Sequence, residues 1–294
     1  MVGIEGGSEV STASIGVGRN NELDMKKELK FPHSLGLLYS AVTYDCGFKV
    51  KSGEYKLMGL APYGEPIYTD LIKEKLVDIK DDGSFWLDQK YFKYCYGLTM
   101  VGKQFEDLFG EPIRKPEDKK MSQFYMDVAA SIQKVTEEIA EKIVANAAKL
   151  YNQQNMCLAG GVALNCVSNG KIIEKKIFQN VWIQPASGDA GCALGVALDV
   201  WHSYLNKSRD VQKIDKMKGS YLGPEYTDQD IRQYLLEAGA VFEEKPFKKI
   251  ATQTAELLSK GNAVGWFQGK MEFGPRSLGN RSILGDPRDH KTQS

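Results

Sequence analysis

The spacing of apolar residues changes period along this chain. Residues 2–18 intersperse Gly3, Gly6 and Gly7 with Thr12, Ser14, Ile15 and Val17, small and β-branched residues that predict a β-hairpin. Residues 35–44 form an apolar helical run. Residues 123–151 place Val128, Ile132, Val135, Ile139, Ile143 and Leu150 at a helical period sustained over about seven turns, which predicts a core helix. It leads into residues 156–198, around which the rest is arranged. They comprise an apolar strand entry (Met156, Cys157, Leu158), a turn through Gly160 and Gly161 and a helix opening at Val162 to Asn165. A second strand (Val181, Trp182, Ile183) and the turn Gly188-Asp189-Ala190-Gly191 follow.

Two strand–glycine–helix junctions in one stretch predict an α/β fold with a ligand crevice. A glycine turn lets a ligand approach the backbone, and the helix behind it offers unpaired amides and a positive dipole end to phosphate or ribose. Diglycine turns are also ordinary punctuation between strand and helix, so the first turn alone is ambiguous. The second is more pointed, because Asp189 stands just past an apolar strand, where open α/β sheets keep their ligands.

Elsewhere the pattern is weaker. Residues 65–122 read as decoration, with Asp81-Asp82-Gly83-Ser84 turning between two short strands and a charged, proline-bearing loop at 112–120. Glu54 and Lys56 stand two apart beside glycines; Lys56 either holds a phosphate or carbonyl oxygen as a point charge or belongs to a solvated surface pair. His33 has no ligand partner and reads as a capped or core histidine. The helix past residue 198 dissolves near 205 into a polar linker at 206–219. Beyond it Thr227 can cap a helix over 228–238, a second helix spans 247–260 and an apolar strand spans 262–268. That strand delivers a glycine-spaced loop holding Lys270, Arg276 and Arg281. Arginine's planar fork suits phosphate oxygens, and glycines admit backbone donors to the same anion. A basic surface loop is the competing reading. The expected domains are 1–210 and 218–294.

Composition removes several classes. Lys plus Arg equals Asp plus Glu at 38 each over 294 residues, so no overall field draws the chain to nucleic acid or an anionic membrane. Five cysteines without a C-x-x-C pair suggest neither a disulfide scaffold nor a thiolate zinc site, and fit a reducing cytoplasm. No apolar run approaches the ~20 residues that span a bilayer.

The strings FPHSLGLLYSA, SGEYKLMGLAPYGEP, CLAGGVALNC, IQPASGDAGCALG and GWFQGKMEFGPRSLGNRSILGDPRD follow one another over nearly the whole chain. In this order they resemble the carbamoyltransferases of antibiotic and nodulation-factor biosynthesis, the family of the nodulation protein NodU and the cephalosporin O-carbamoyltransferases. The resemblance implies a lobe of actin/Hsp70/sugar-kinase architecture, similar to the universal tRNA threonylcarbamoyl-adenosine protein, followed by the start of a YrdC-like α/β domain. It also implies that carbamoyl phosphate and ATP form a carbamoyl-adenylate with release of pyrophosphate. The carbamoyl group then passes to a hydroxyl of a sugar, antibiotic or nodulation-factor-type acceptor. By motif position, Glu54, Lys56 and Arg276 become catalytic candidates. Gly160, Gly161, Asn165, Gly188, Lys270 and Arg281 become cofactor-binding candidates for ATP, and Asp189 a ligand of a divalent metal, in this family Fe(II). A homo-oligomer is left open.

Two departures bear on these expectations. The family's two metal-binding histidines sit upstream in an H-x-x-x-H helix, and no such pair exists here. Its D-G-x-G-E phosphate hairpin appears as Glu5-Gly6-Gly7-Ser8-Glu9, with Ser8 less free than glycine to reach positive φ. With the abrupt start inside a hairpin and the end soon after the basic loop, they lead to the expectation of a fragment truncated at both ends. Two other readings compete. One is a sugar-kinase-like ATPase, which would need a carboxylate base and a γ-phosphate site that the sequence does not place. The other is a catalytically silent nucleotide-binding module.

Overall fold

Val2, Ile4, Ala13 and Ile15 are the buried positions of an antiparallel pairing in the structure, a computed structural model that describes residues 1–4, 10–118, 120–211 and 214–288. The altered phosphate hairpin, residues 5–9, lies outside the described residues. Strand β1 (Val2–Ile4) pairs antiparallel with β2 (Ser11–Arg19), Val2 opposite Ile15. β2 continues into β3 (Glu22–Lys30). The sequence pattern does not reveal β3, because ELDMKKELK is almost wholly exposed and has no buried face to impose alternation.

Helix α1 (Leu35–Asp45) starts where the Ser34 side chain accepts the Leu37 N–H at 3.1 Å. It is followed by α2 (Glu54–Leu60), α3 (Thr69–Lys75), the hairpin of β4 (Val77–Ile79) and β5 (Phe85–Leu87), and α4 (Lys103–Phe109). Residues 65–122 are therefore not decoration. Ile72, Leu76, Val77, Phe85, Leu87, Phe92 and Phe105 are all at most 2% exposed and belong to the main core. The helices and strands of this region are three to seven residues long and mix apolar with charged positions, too short for either period to register. His33 is a core histidine: its Nδ1 accepts the Leu87 N–H at 3.0 Å, and burial lowers its pKa.

The helix α5 (Gln123–Tyr151) buries Val128, Ile132, Val135, Ile139 and Ile143 against α1, α2, α3 and α6 (Cys166–Glu174). Leu150, counted in that stripe from its spacing, is 47% exposed, because the stripe ends before the last turn. Asn152 closes the helix in the left-handed conformation, its N–H donating to Ala148 O at 3.1 Å. β6 (Asn155–Ala159) lies parallel to β1 and to β7 (Asn180–Ile183), Leu158 facing Val2 on one side and Ile183 on the other. The sheet order is β3-β2-β1-β6-β7, mixed and covered by helices, so the α/β class holds. After β7 comes α7 (Ala190–Asp199).

The chain divides into two units, Met1–Arg209 and Asp210–Ser294. In the second, α8 (Asp228–Glu237) opens with a reciprocal capping box between Thr227 and Asp230. Then come α9 (Phe247–Ser259) and the antiparallel pair β8 (Val264–Phe267) and β9 (Arg281–Leu284). The described residues that are buried in this unit are Ser220, Glu272 and Asp286, all polar.

Candidate functional site

The chain leaves β6 through Gly160, whose φ of +100° and ψ of 160° suit only glycine. A Cβ there would lie 2.2 Å from the Ile4 carbonyl oxygen, so the end of β1 packs directly on this turn. The Gly160 N–H donates to Ser187 O at 2.8 Å, tying it to the loop after β7. A Cβ at Gly188 would stand 4.0 Å from the Gly161 Cα. Parallel pairing thus brings the carboxyl ends of β1, β6 and β7, and with them both glycine turns, to one place. Residues Gly161–Leu164 form a 3-10 turn, and the α-helix expected at Val162 begins only at Cys166. Asn165 explains the delay, since its Oδ1 accepts the Ser168 N–H at 3.0 Å as the cap of α6.

Asn165 is also held from behind. Its Nδ2 donates to Gln133 Oε1 at 2.9 Å, and Gln133 Nε2 donates back to Asn165 Oδ1 at 3.1 Å. The Tyr39 hydroxyl donates to the same Gln133 Oε1 at 2.9 Å, and Gln133 Nε2 also donates to Glu137 Oε1 at 2.9 Å. Both Asn165 Oδ1 lone pairs are therefore taken inside the protein. Gln133 escaped the sequence reading, although an amide beside Ile132 on a long apolar helix is a signal of this kind.

Glu54 and Lys56 do not form a pair. Glu54 Oε1 accepts from Ser40 Oγ at 2.7 Å and from the Lys51 N–H at 2.9 Å, which locks the first turn of α2 to α1. Lys56 is exposed and makes no ion pair among the described residues. α2 nevertheless reaches the glycine junction, since Met58 Sδ lies 3.9 Å from Cys166 Sγ at the start of α6.

Asp189 is exposed at the start of α7, without a capping bond from its side chain. Among the described residues there is no cluster of three His, Cys, Asp or Glu side chains able to hold a metal ion. One carboxylate does not make a site for a divalent metal. The described residues do not fit the expected iron centre.

The basic loop of the second unit has an organiser that the sequence reading passed over. Glu272, 4% exposed, accepts at Oε1 from the N–H groups of Leu278 and Asn280, both at 2.8 Å, and of Arg281 at 3.4 Å. Its Oε2 accepts from Arg281 Nε at 3.1 Å, and Arg281 Nη2 donates to Gly274 O. Burial pushes this carboxyl up, but the backbone donors led by Leu278 and Asn280 outweigh it and hold the pKa down at about 2. The glycine-loop donors and Arg281, expected to face a ligand anion, are thus turned onto an internal one. Lys270 is exposed and Arg276 half-buried. A lone carboxylate among three cations was the available signal.

A mixed sheet that brings two glycine turns together at the ends of its parallel strands defines an α/β protein. The family model for the carbamoyltransferase N-terminus matches residues 1–198, and that for the carbamoyltransferase C-terminus matches residues 255–294. The chain belongs to the carbamoyltransferase family. An uncharacterized protein of Synechocystis sp. is 54% identical over 293 residues, which cover 99% of this chain and 48% of that protein. The nodulation protein NolNO of Sinorhizobium fredii is 34% identical over 288 residues, 97% of this chain and 40% of its own. The 3'-hydroxymethylcephem-O-carbamoyltransferase of Streptomyces clavuligerus is 31% identical over 149 residues, 51% and 25% respectively. The chain spans about half the length, or less, of these curated relatives. No helix among the described residues is long and apolar enough to cross a membrane.

Proposed function

We propose that this chain takes part in O-carbamoyl transfer through a carbamoyl-adenylate. Water cleaves carbamoyl phosphate to carbamate and inorganic phosphate, and a carbamate oxygen attacks the α-phosphorus of ATP to give the adenylate with release of pyrophosphate. An acceptor hydroxyl then attacks the carbamoyl carbon, losing its proton as AMP leaves. The observation that carries this reading is the meeting of the two glycine turns at the carboxyl ends of β6 and β7, held by the Gly160 to Ser187 bond. Adenosine lies against Gly161 and Gly188, with Asn165 prealigned beside it by Gln133. Glu54 keeps the first turn of α2 in place, and Lys56 offers an ammonium to a phosphate or carbonyl oxygen. The first unit is read as an actin/Hsp70/sugar-kinase-like lobe and the second as a YrdC-like unit whose basic loop takes a phosphate. The acceptor is a small hydroxylated molecule, in keeping with the name of the cephem O-carbamoyltransferase, and the location is cytoplasmic. No step is assigned to a metal.

The test is pyrophosphate release from ATP by the native-length protein, with and without carbamoyl phosphate. Release only in its presence supports the reading. Phosphate release from ATP alone would favour the kinase-like ATPase, and ATP binding without turnover would favour the silent module.

A further inference from the structure

The second unit has no apolar core among its described residues, yet it buries the carboxylate of Glu272, whose side chain is 1% exposed. A buried carboxylate is costly unless donors surround it, so its position is informative. Here the donors come from one short arc. The N–H groups of Leu278, Asn280 and Arg281 and the Arg281 Nε all point at Glu272, and the other arm of the Arg281 fork reaches Gly274 O. The 278–281 end of this arc is therefore tied directly to the carboxylate, and Arg281 links the Gly274 end to it in turn. Gly274 and Gly279, at φ of +121° and +112°, let the backbone turn inward at the two ends of the arc.

The base of the arc is fixed as well. Gln268 N–H donates to Asn280 O at 2.9 Å, and Asn280 Nδ2 donates to Lys270 O at 2.8 Å. Gly223 N–H donates to Met271 O, and Met271 N–H to Pro224 O, at 2.9 and 3.0 Å, while the Tyr221 hydroxyl donates to Leu278 O at 2.8 Å. What these ties hold in shape is the segment that carries Arg276. Arg281, with two of its guanidinium nitrogens committed to Glu272 and Gly274, is a strut of that shape.

We infer that Glu272 is a positioning residue for the basic loop, acting through Arg281 to hold the 274–281 arc so that Arg276 meets a phosphate-bearing ligand. This inference rests on the proposed reading of the loop as an anion site. It divides the three cations by role: Arg276 and Lys270 serve the ligand, Arg281 serves the loop. Without the carboxylate, the arc keeps its glycines and loses the acceptor on which its inward-pointing donors converge. Preorganisation is then lost, and the ligand must order the loop as it binds.

The experiment compares Glu272→Gln, Arg281→Gln, the double variant and Arg276→Lys in carbamoyl-phosphate-dependent pyrophosphate release by the native-length protein, with thermal melting and circular dichroism alongside. Glu272→Gln is expected to raise the KM for carbamoyl phosphate or ATP about tenfold, kcat changing less, the size for which ~1.4 kcal/mol of lost preorganisation suffices. Because Glu272 and Arg281 form one tie, the double variant is expected to lose no more than the worse single one. Losses that multiply would mean that Arg281 meets the ligand itself, which overturns the inference. So would a lowered melting temperature with KM and kcat unchanged. Should Glu272→Gln fail to fold, Arg281→Lys keeps the charge and loses the fork, and carries the same expectation of a raised KM. If Arg276→Lys leaves both constants unchanged, the reading of the loop as an anion site is what fails. If Arg276→Lys impairs turnover and Glu272→Gln does not, the reading stands and the positioning role falls.

Discussion

Replacing Gly160 by alanine separates two reasons for a glycine at the end of β6: close approach of a ligand, or close approach of the protein's own backbone. The structure favours the second. At φ +100° and ψ 160° an alanine carries strain of about 1–3 kcal/mol. Its Cβ would also stand 2.2 Å from Ile4 O and 2.6 Å from Ile4 C, backbone atoms that no rotamer change can move aside. Forcing β1 away adds an overpacking cost of about 1–3 kcal/mol. A total near ~4 kcal/mol, in a unit of Met1–Arg209 at roughly 2–4 °C per kcal/mol, lowers the melting temperature by about 8–16 °C. The assay is differential scanning calorimetry without any ligand present. A melting point within about 2 °C of the parent would refute the reasoning. It would mean that the end of β1 does not rest on this turn and that the glycine serves a ligand.

Gly161→Val is expected to do the reverse, abolishing ATP binding in titration calorimetry while unfolding stays cooperative; unchanged ATP affinity would remove Gly161 from the site. Asp45→Asn tests the buried acid at the end of α1, which is 2% exposed with Oδ2 lacking a partner. Burial, helped by the charge of Glu106, raises its pKa from 3.8 to about 7. The folded state then binds this proton more tightly than the unfolded chain, so stability falls as pH rises from about 4 to about 7, by a ceiling of ~4 kcal/mol. The asparagine variant is expected to lose that slope and to exceed the parent at pH 8 by about 1–3 kcal/mol, after the cost of its own unpaired amide. Urea denaturation at pH 5 and pH 8 decides, and an unaltered pH slope counts against the assignment.

Legibility in the sequence followed burial and length. α5 was readable because Val128 to Ile143 recur on one buried face for turn after turn. The hairpin of β1 and β2, and the β6 and β7 strands with their glycine turns, were readable because short apolar or β-branched runs give way to glycine turns. β3 was not, since both its faces meet solvent, and β9 was not, since RSIL is four residues in a loop-rich stretch. Residues 65–122 were misjudged because Ile72, Phe85 and Phe105 enter the core from separate short elements, a convergence that no window along the chain contains. At the two candidate sites, one in each unit, the glycines and cations were legible by type. Which of them turn inward was not, because Gly160 meets Ile4 and Arg281 meets Glu272 across contacts that only folding creates.

That division has a physical origin. A side chain that meets a ligand must be held still without being consumed, and the groups that hold it are themselves polar, because only hydrogen bonds fix direction. In the first unit the amide of Gln133, 5% exposed on the buried side of α5, spends its donors and acceptor on Asn165, Glu137 and Tyr39. In the second the carboxylate of Glu272 does so for the arc that bears Arg276. Both are buried where an apolar residue of similar size would pack with less desolvation, and both are satisfied by several partners, so each is a low-entropy anchor that water cannot easily replace. On the proposed reading, the specificity of either site then depends on groups one bond away from the ligand. For that reason Gln133→Leu, nearly equal in volume, would leave Asn165 Oδ1 and Tyr39 short of partners and free the α6 cap to turn, an effect that a hydrophobic scale would score as favourable.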